Sequence, residues 1–161
     1  MAEDVSAWRQ SGAIYIWRYA APGGSRRGWH FSADPTGCAS VVDLIDRMTT
    51  AKAACHRTLS LGHVSADIFW GVPNFGPPKA DRFEKLRIDY LPAASDLQLL
   101  ENDGRLDLTL GAARADNLKA AFVDVGIGDG DFGIGTSDRK NAETWMFWWM
   151  PRINYHDGKR L

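Results

Sequence analysis

Cysteine is scarce: Cys38 and Cys55 are the whole complement, and no Cys-x-x-Cys pair occurs. This argues against a disulfide framework and against a standard zinc ribbon. No apolar run approaches the roughly 20 residues that cross a bilayer. The opening MAEDVSAWRQ has neither the basic stretch nor the apolar core of a secretory signal. The expectation is a reduced, cytoplasmic protein with no membrane partner. An excess of one charge is also missing. Nineteen Lys and Arg against 20 Asp and Glu leave a formal net charge of −1, which disfavours nucleic acid as a partner.

Catalytic signatures are missing as well. There is no Gly-x-Ser-x-Gly elbow and no Gly-Lys-Ser/Thr loop. No spacing singles out a carboxylate pair among Asp34, Asp67, Asp89 and Glu143. Cys38, Cys55, His56 and His63 are metal-capable, but their spacing matches no zinc module. Cys38 opens a helix, where a thiol pKa is lowered, and would form a nucleophilic pair only beside His30 or His63. The glycine-rich run 126–135 follows a helix, so it is not a dinucleotide fingerprint, which follows a strand. Asp129 and Asp131 suggest calcium, yet an EF-hand needs Glu where Lys140 stands. That run reads as a helix C-cap and turn. No motif in the sequence therefore marks the chain as an enzyme, and no cofactor and no metal are expected.

What is plentiful is tryptophan, with seven residues, each able to bury roughly 150–250 Å². Three fall in Thr144-Trp145-Met146-Phe147-Trp148-Trp149-Met150-Pro151. On a strand, Trp145, Phe147 and Trp149 would face one way and Met146, Trp148 and Met150 the other. Both faces are apolar, and proline ends the run. A strand at 13–20 shares this two-sided character, with Ile14 and Ile16 opposite Tyr15, Trp17 and Tyr19.

Between these ends, turn signals at 22–25 and 34–37 flank a short strand at 28–33. A helix follows with Val41, Val42, Ile45 and Met48 as its stripe, and Ser40 with Asp43 resembles a capping box. Strands follow at 57–61 and 83–91, separated by an irregular segment, 62–81. A hairpin at 96–110 turns at Asn102-Asp103-Gly104, and a helix at 112–124 carries Ala115, Leu118, Phe122 and Val125. Lys85, Arg87 and Asp89 alternate as a solvated ion-pair stripe. The order is β-β-α-β-β-β-β-α-β. It implies one α+β domain over 1–161, with 1–12 as a loose lead-in. Its sheet would be mostly antiparallel, of six to seven strands, with two helices on one face. Each helix has strands on both sides, which allows a faint repeat of two halves.

If the two-sided strands lie together, the face away from the helices carries Tyr15, Trp17 and Tyr19 with Trp148, or else with Trp145 and Trp149. Exposed apolar patches of that size mark interaction sites. The binding residues expected are Tyr15, Trp17, Arg18, Tyr19 and His30 on the sheet, Trp70 and Phe75 on the long loop, and Trp148. The leading function is non-catalytic binding, regulatory or inhibitory, to a protein partner or a second copy of the chain. The alternative is a small molecule, or a small enzyme's substrate, in a pocket of Trp17, Trp70 and Trp148 with His30 and Arg18. A third arrangement is the loop closing over the patch as a second small core. Arg26, Arg27 and Trp29 interleave base and ring in a way nucleic acid could use, but the neutral chain favours a solvated hairpin tip.

Overall fold

The structure is a computed structural model, and it describes residues 2–18, 28–63, 83–149, 155–156 and 159–160. The chain forms α1 (Ala2–Ala7), β1 (Ile14–Arg18), β2 (Trp29–Ala33), α2 (Pro35–Ala51), β3 (Cys55–Ser60), β4 (Lys85–Tyr90), β5 (Gln98–Asn102) and β6 (Arg105–Leu110). It continues through α3 (Ala112–Gly126), β7 (Phe132–Gly135), β8 (Thr144–Phe147), β9 (Tyr155–His156) and β10 (Lys159–Arg160). The class is α+β. The strands form two four-stranded sheets rather than one: sheet I in the order β1-β2-β8-β7 and sheet II in the order β5-β6-β4-β3. The last two strands form a separate antiparallel ribbon. Both four-stranded sheets are mixed, with a parallel pair at the centre and antiparallel pairs outside.

The two orders are the same order. Raising each strand number of sheet I by four, cyclically, gives sheet II. The chain is thus two β-β-α-β-β halves, β1-β2-α2-β3-β4 and β5-β6-α3-β7-β8, that exchange their second hairpins. Each half leaves its first hairpin in one sheet, and its helix leads into strands of the other. The sheets also meet at matching places. Past β3, Gly62 N donates to Ile14 O at 2.8 Å, and ahead of β5, Leu97 N donates to Thr136 O at 2.8 Å.

Three further sequence expectations change. The strand β7 lies inside the glycine-rich run read as a turn; it pairs Phe132 with Phe147 and Ile134 with Trp145. The first long helix starts at Pro35, not Ser40. Asp34 caps it, its Oδ1 accepting from Gly37 N at 2.6 Å and from Ala13 N at 3.1 Å. Asp before Pro at the first helical position is a helix-start pair, so the turn at 34–37 is the helix entry. Part of the lead-in packs on the core: Val5 and Trp8 are buried, Trp8 Nε1 donates to Ser40 O at 2.9 Å, and Arg57 Nη2 donates to Trp8 O at 2.8 Å.

One core cluster draws on both sheets and on all three helices. In sheet I it holds Trp145 and Phe147 from β8, an interior strand. The Phe147 ring stacks on Phe31 at 4.8 Å and on Phe132 at 5.8 Å, and meets the edge of Phe122 from α3 at 5.3 Å. The two strands with two-sided apolar character, β1 and β8, share sheet I but do not pair, because β2 lies between them.

Burial of Trp8 makes a direct prediction. Trp8→Ala should lower unfolding stability by about 3–5 kcal/mol, the cost of emptying a large buried site. It should show as a lower urea midpoint at an unchanged slope. A loosely held lead-in would give no shift.

Candidate functional site

In sheet I the inner face is fixed by pairing: Ile16 sits beside Phe31, and Phe31 beside Phe147. The register therefore places Tyr15, Trp17, His30, Ser32, Met146 and Trp148 on the outer face. There the rings stack in a row. Trp17 lies 5.6 Å from His30 at an interplanar angle of 16°, and His30 lies 6.0 Å from Trp148 at 23°. Trp148 Nε1 donates to His30 Nδ1 at 2.9 Å. An indole N–H only donates, so Nδ1 holds its lone pair and His30 is neutral with its proton on Nε2.

Trp148 is held at two further points along its backbone. Its N donates to Phe31 O at 2.9 Å, extending the ladder past β8, and its carbonyl accepts from Ser32 Oγ at 2.7 Å. Trp17 and His30 are both 0% exposed, while Tyr15, Met146 and Trp148 are half-buried. The Tyr15 ring lies against the backbone at Gly62, where an added Cβ would stand 2.6 Å from Cε1. Burial first, and the Asp34 carboxylate second, raise the Tyr15 hydroxyl above its usual pKa.

Of the residues singled out in the sequence, Trp17, His30 and Trp148 come together, with Tyr15 beside them. Arg18 does not join them. It points to the inner side, with its guanidinium 4.6 Å over the Trp29 ring and an ion pair to Glu101 of sheet II. Tyr19, Trp70 and Phe75 lie outside the described residues, as does most of the 62–81 loop. Met146 shares the Trp148 face, as the alternation in the sequence implies; Ser32 went unremarked, and period-two alternation from His30 would have found it.

The repeated architecture supplies an internal comparison. Aligning the halves on their helix N-caps, Asp34 and Gly111, sets His30 opposite Asp107. The strand registers then set Trp17 opposite Leu100, Met146 opposite Arg87 and Trp148 opposite Asp89. The outer face of sheet II is accordingly charged. Arg87 pairs with Asp89 at 2.9 Å and Arg105 with Asp107 at 2.6 Å. Hydrogen bonding from Arg105 holds the Asp107 carboxyl below its ordinary range. Leu100, the counterpart of buried Trp17, is 56% exposed.

Other chemistry is placed as follows. Cys38 is buried, and its Sγ lies 3.6 Å from Ala33 O. Burial, then the Asp34 carboxylate, push the thiol up to about 12. This reverses the lowering expected at a helix start, because desolvation outweighs the helix end. Among the described residues no three metal-capable side chains converge. A polar cleft of about 540 Å³ lies beside β5, lined in part by Asp96, Arg139 and Glu143. Arg139 reaches Asp96 at 3.6 Å, and burial raises the Glu143 carboxyl.

Trp148→Phe keeps an aromatic ring but removes the N–H. It should cost about 1–3 kcal/mol, because Nδ1 of a buried imidazole loses its donor; urea unfolding measures this. Nitrogen NMR of the unmodified protein should show the Nε2–H tautomer at His30. Iodoacetamide at pH 8 should label Cys55 in the folded protein and reach Cys38 only on unfolding, since on the order of one Cys38 thiol in ten thousand is then ionised.

In comparison with known proteins, no family model, no curated protein and no solved structure matches this chain.

Proposed function

We propose that this chain is a non-catalytic binding protein that engages a protein partner through the outer face of sheet I, with Trp148 as its anchor. One observation carries the reading. At matched positions the same architecture is satisfied by Arg87, Asp89, Leu100 and Asp107 in sheet II and by Met146, Trp148, Trp17 and His30 in sheet I. The fold does not require rings at those positions, so a role beyond folding is the economical account of them.

The physical chemistry suits an interface. Tryptophan is enriched among residues that dominate binding energy. Trp148 is oriented by His30 through its indole, while its backbone is tied to Phe31 and Ser32. A ring ordered before contact loses little rotamer freedom on binding, which leaves more of its burial as affinity. A second copy of the chain is the simplest partner, since one face then supplies both sides. Binding of this kind acts by occupying a partner, which makes the role regulatory or inhibitory. The reading takes the protein as cytoplasmic. Among the described residues no helix is long and apolar enough to cross a membrane.

Sedimentation velocity tests this directly. The expected result is a mass above 17.8 kDa that falls to the monomer value in Trp148→Glu and is unchanged in Leu100→Glu at the matched position of sheet II. A monomer at every concentration removes self-association. If its tryptophan fluorescence then responds to a small-molecule library, the face is a ligand pocket instead.

A further inference from the structure

Helices α2 and α3 pack closely where Gly126 meets Cys38; a Cβ at Gly126 would lie 3.1 Å from that of Cys38. Beside this contact an open groove of about 400 Å³ runs between the helices. Its floor is apolar, formed by Cys38, Val42 and Phe122. On the α3 side stand Val123 and Ile127, four residues apart and so one above the other. They are 39% and 57% exposed, two of the four large exposed apolar side chains among the described residues.

The core does not use them. The buried positions of α3 are Ala115, Leu118, Ala121, Phe122 and Val125. Ala113 and Ala120, also exposed, extend the stripe back along the helix. Among the described residues, the charged side chains that line the groove are both acidic: Asp43 and Asp46, one turn apart on α2. Each has a basic neighbour outside the groove, Arg47 at 3.2 Å and Lys119 at 2.7 Å. Such exposed pairs exchange partners at little cost.

We infer that this groove docks an amphipathic helix of another protein, its apolar stripe laid against Val42, Phe122, Val123 and Ile127 and its Lys or Arg side chains against Asp43 and Asp46. Two features select this occupant. A trough between two helices takes a third helix by ridges-into-grooves packing. The carboxylates lie along one edge of an apolar floor, which complements basic residues flanking an apolar stripe and opposes acidic ones. The groove shares no residue with the outer face of sheet I, so the inference stands apart from the function proposed above.

Fluorescence anisotropy with the full chain tests it. The probe is a labelled 16-residue Leu/Lys peptide with leucines spaced three and four apart and lysines on the flanks. Two controls carry Glu in place of Lys, or the same composition in shuffled order. The Leu/Lys helix is expected to bind at least about tenfold more tightly than either control. Val123→Glu with Ile127→Glu should weaken it about tenfold, and Asp43→Lys with Asp46→Lys should shift the preference to the Glu peptide. All four positions are exposed, and circular dichroism confirms that the variants remain folded. Equal binding of the shuffled peptide, indifference to both double substitutions, or no binding of any peptide would each overturn the inference.

Discussion

The parallel ladder between β2 and β8 is the constraint on which the rest of the structure depends. Parallel neighbours cannot be joined by a tight turn, so this pair brings His30 beside Met146 from opposite ends of the chain. Phe31 stacked on Phe147 makes the same junction on the inner face. The matching ladder of β4 with β6 joins the halves a second time. Neither four-stranded sheet can form from one half alone, and each helix lies on the path from one sheet to the other. The two halves therefore fold as parts of one core, not as separable copies.

That duplication is also what makes the outer faces interpretable. A cluster of rings in an isolated sheet could be dismissed as packing. Here the same strand positions occur twice, and in sheet II they carry Arg87, Asp89 and Asp107 in ion pairs and an exposed Leu100. The register fixes the correspondence, so chemistry rather than geometry distinguishes Trp17, His30 and Trp148. Burial of Trp17 and His30 sharpens the picture further. They support a site more than they present one, and the accessible ring is Trp148.

Much of this was legible in the sequence because it is local. Asn102-Asp103-Gly104 marked its hairpin, and the apolar stripe of α3 was read residue by residue. The sequence left open whether Trp148, or Trp145 with Trp149, shares a face with Trp17; the register of β8 on β2 places Trp148 there. What was hidden depends on partners. In β7, Gly133 and Gly135 alternate with Phe132 and Ile134; glycine reads as a turn, and only β8 makes it a strand. Missing that strand left the repeat faint, since the order lacked one of its eight members. The choice between one sheet and two is a matter of nonlocal pairing, which periodicity cannot report. Likewise α1 is six residues long and too short to declare itself, and Trp8 is fixed by Ser40 and Arg57.

The Arg18–Glu101 pair shows how such a duplication must diverge. Alignment on the helix caps makes these two residues counterparts, because Arg18 pairs with Trp29 as Glu101 does with Leu106, two matched positions. Counterparts that touch each other must straddle the approximate two-fold axis relating the halves. Identical halves would place like charges together there, which is destabilising at contact distance. The chain instead sets a guanidinium against a carboxylate, with the Trp29 ring beneath the cation. An ion pair between counterparts thus requires the halves to differ, whereas the outer faces are free to differ. The first kind of asymmetry is demanded by the ion pair. The second, rings on one sheet and charges on the other, is not, and it is there that function has room to act.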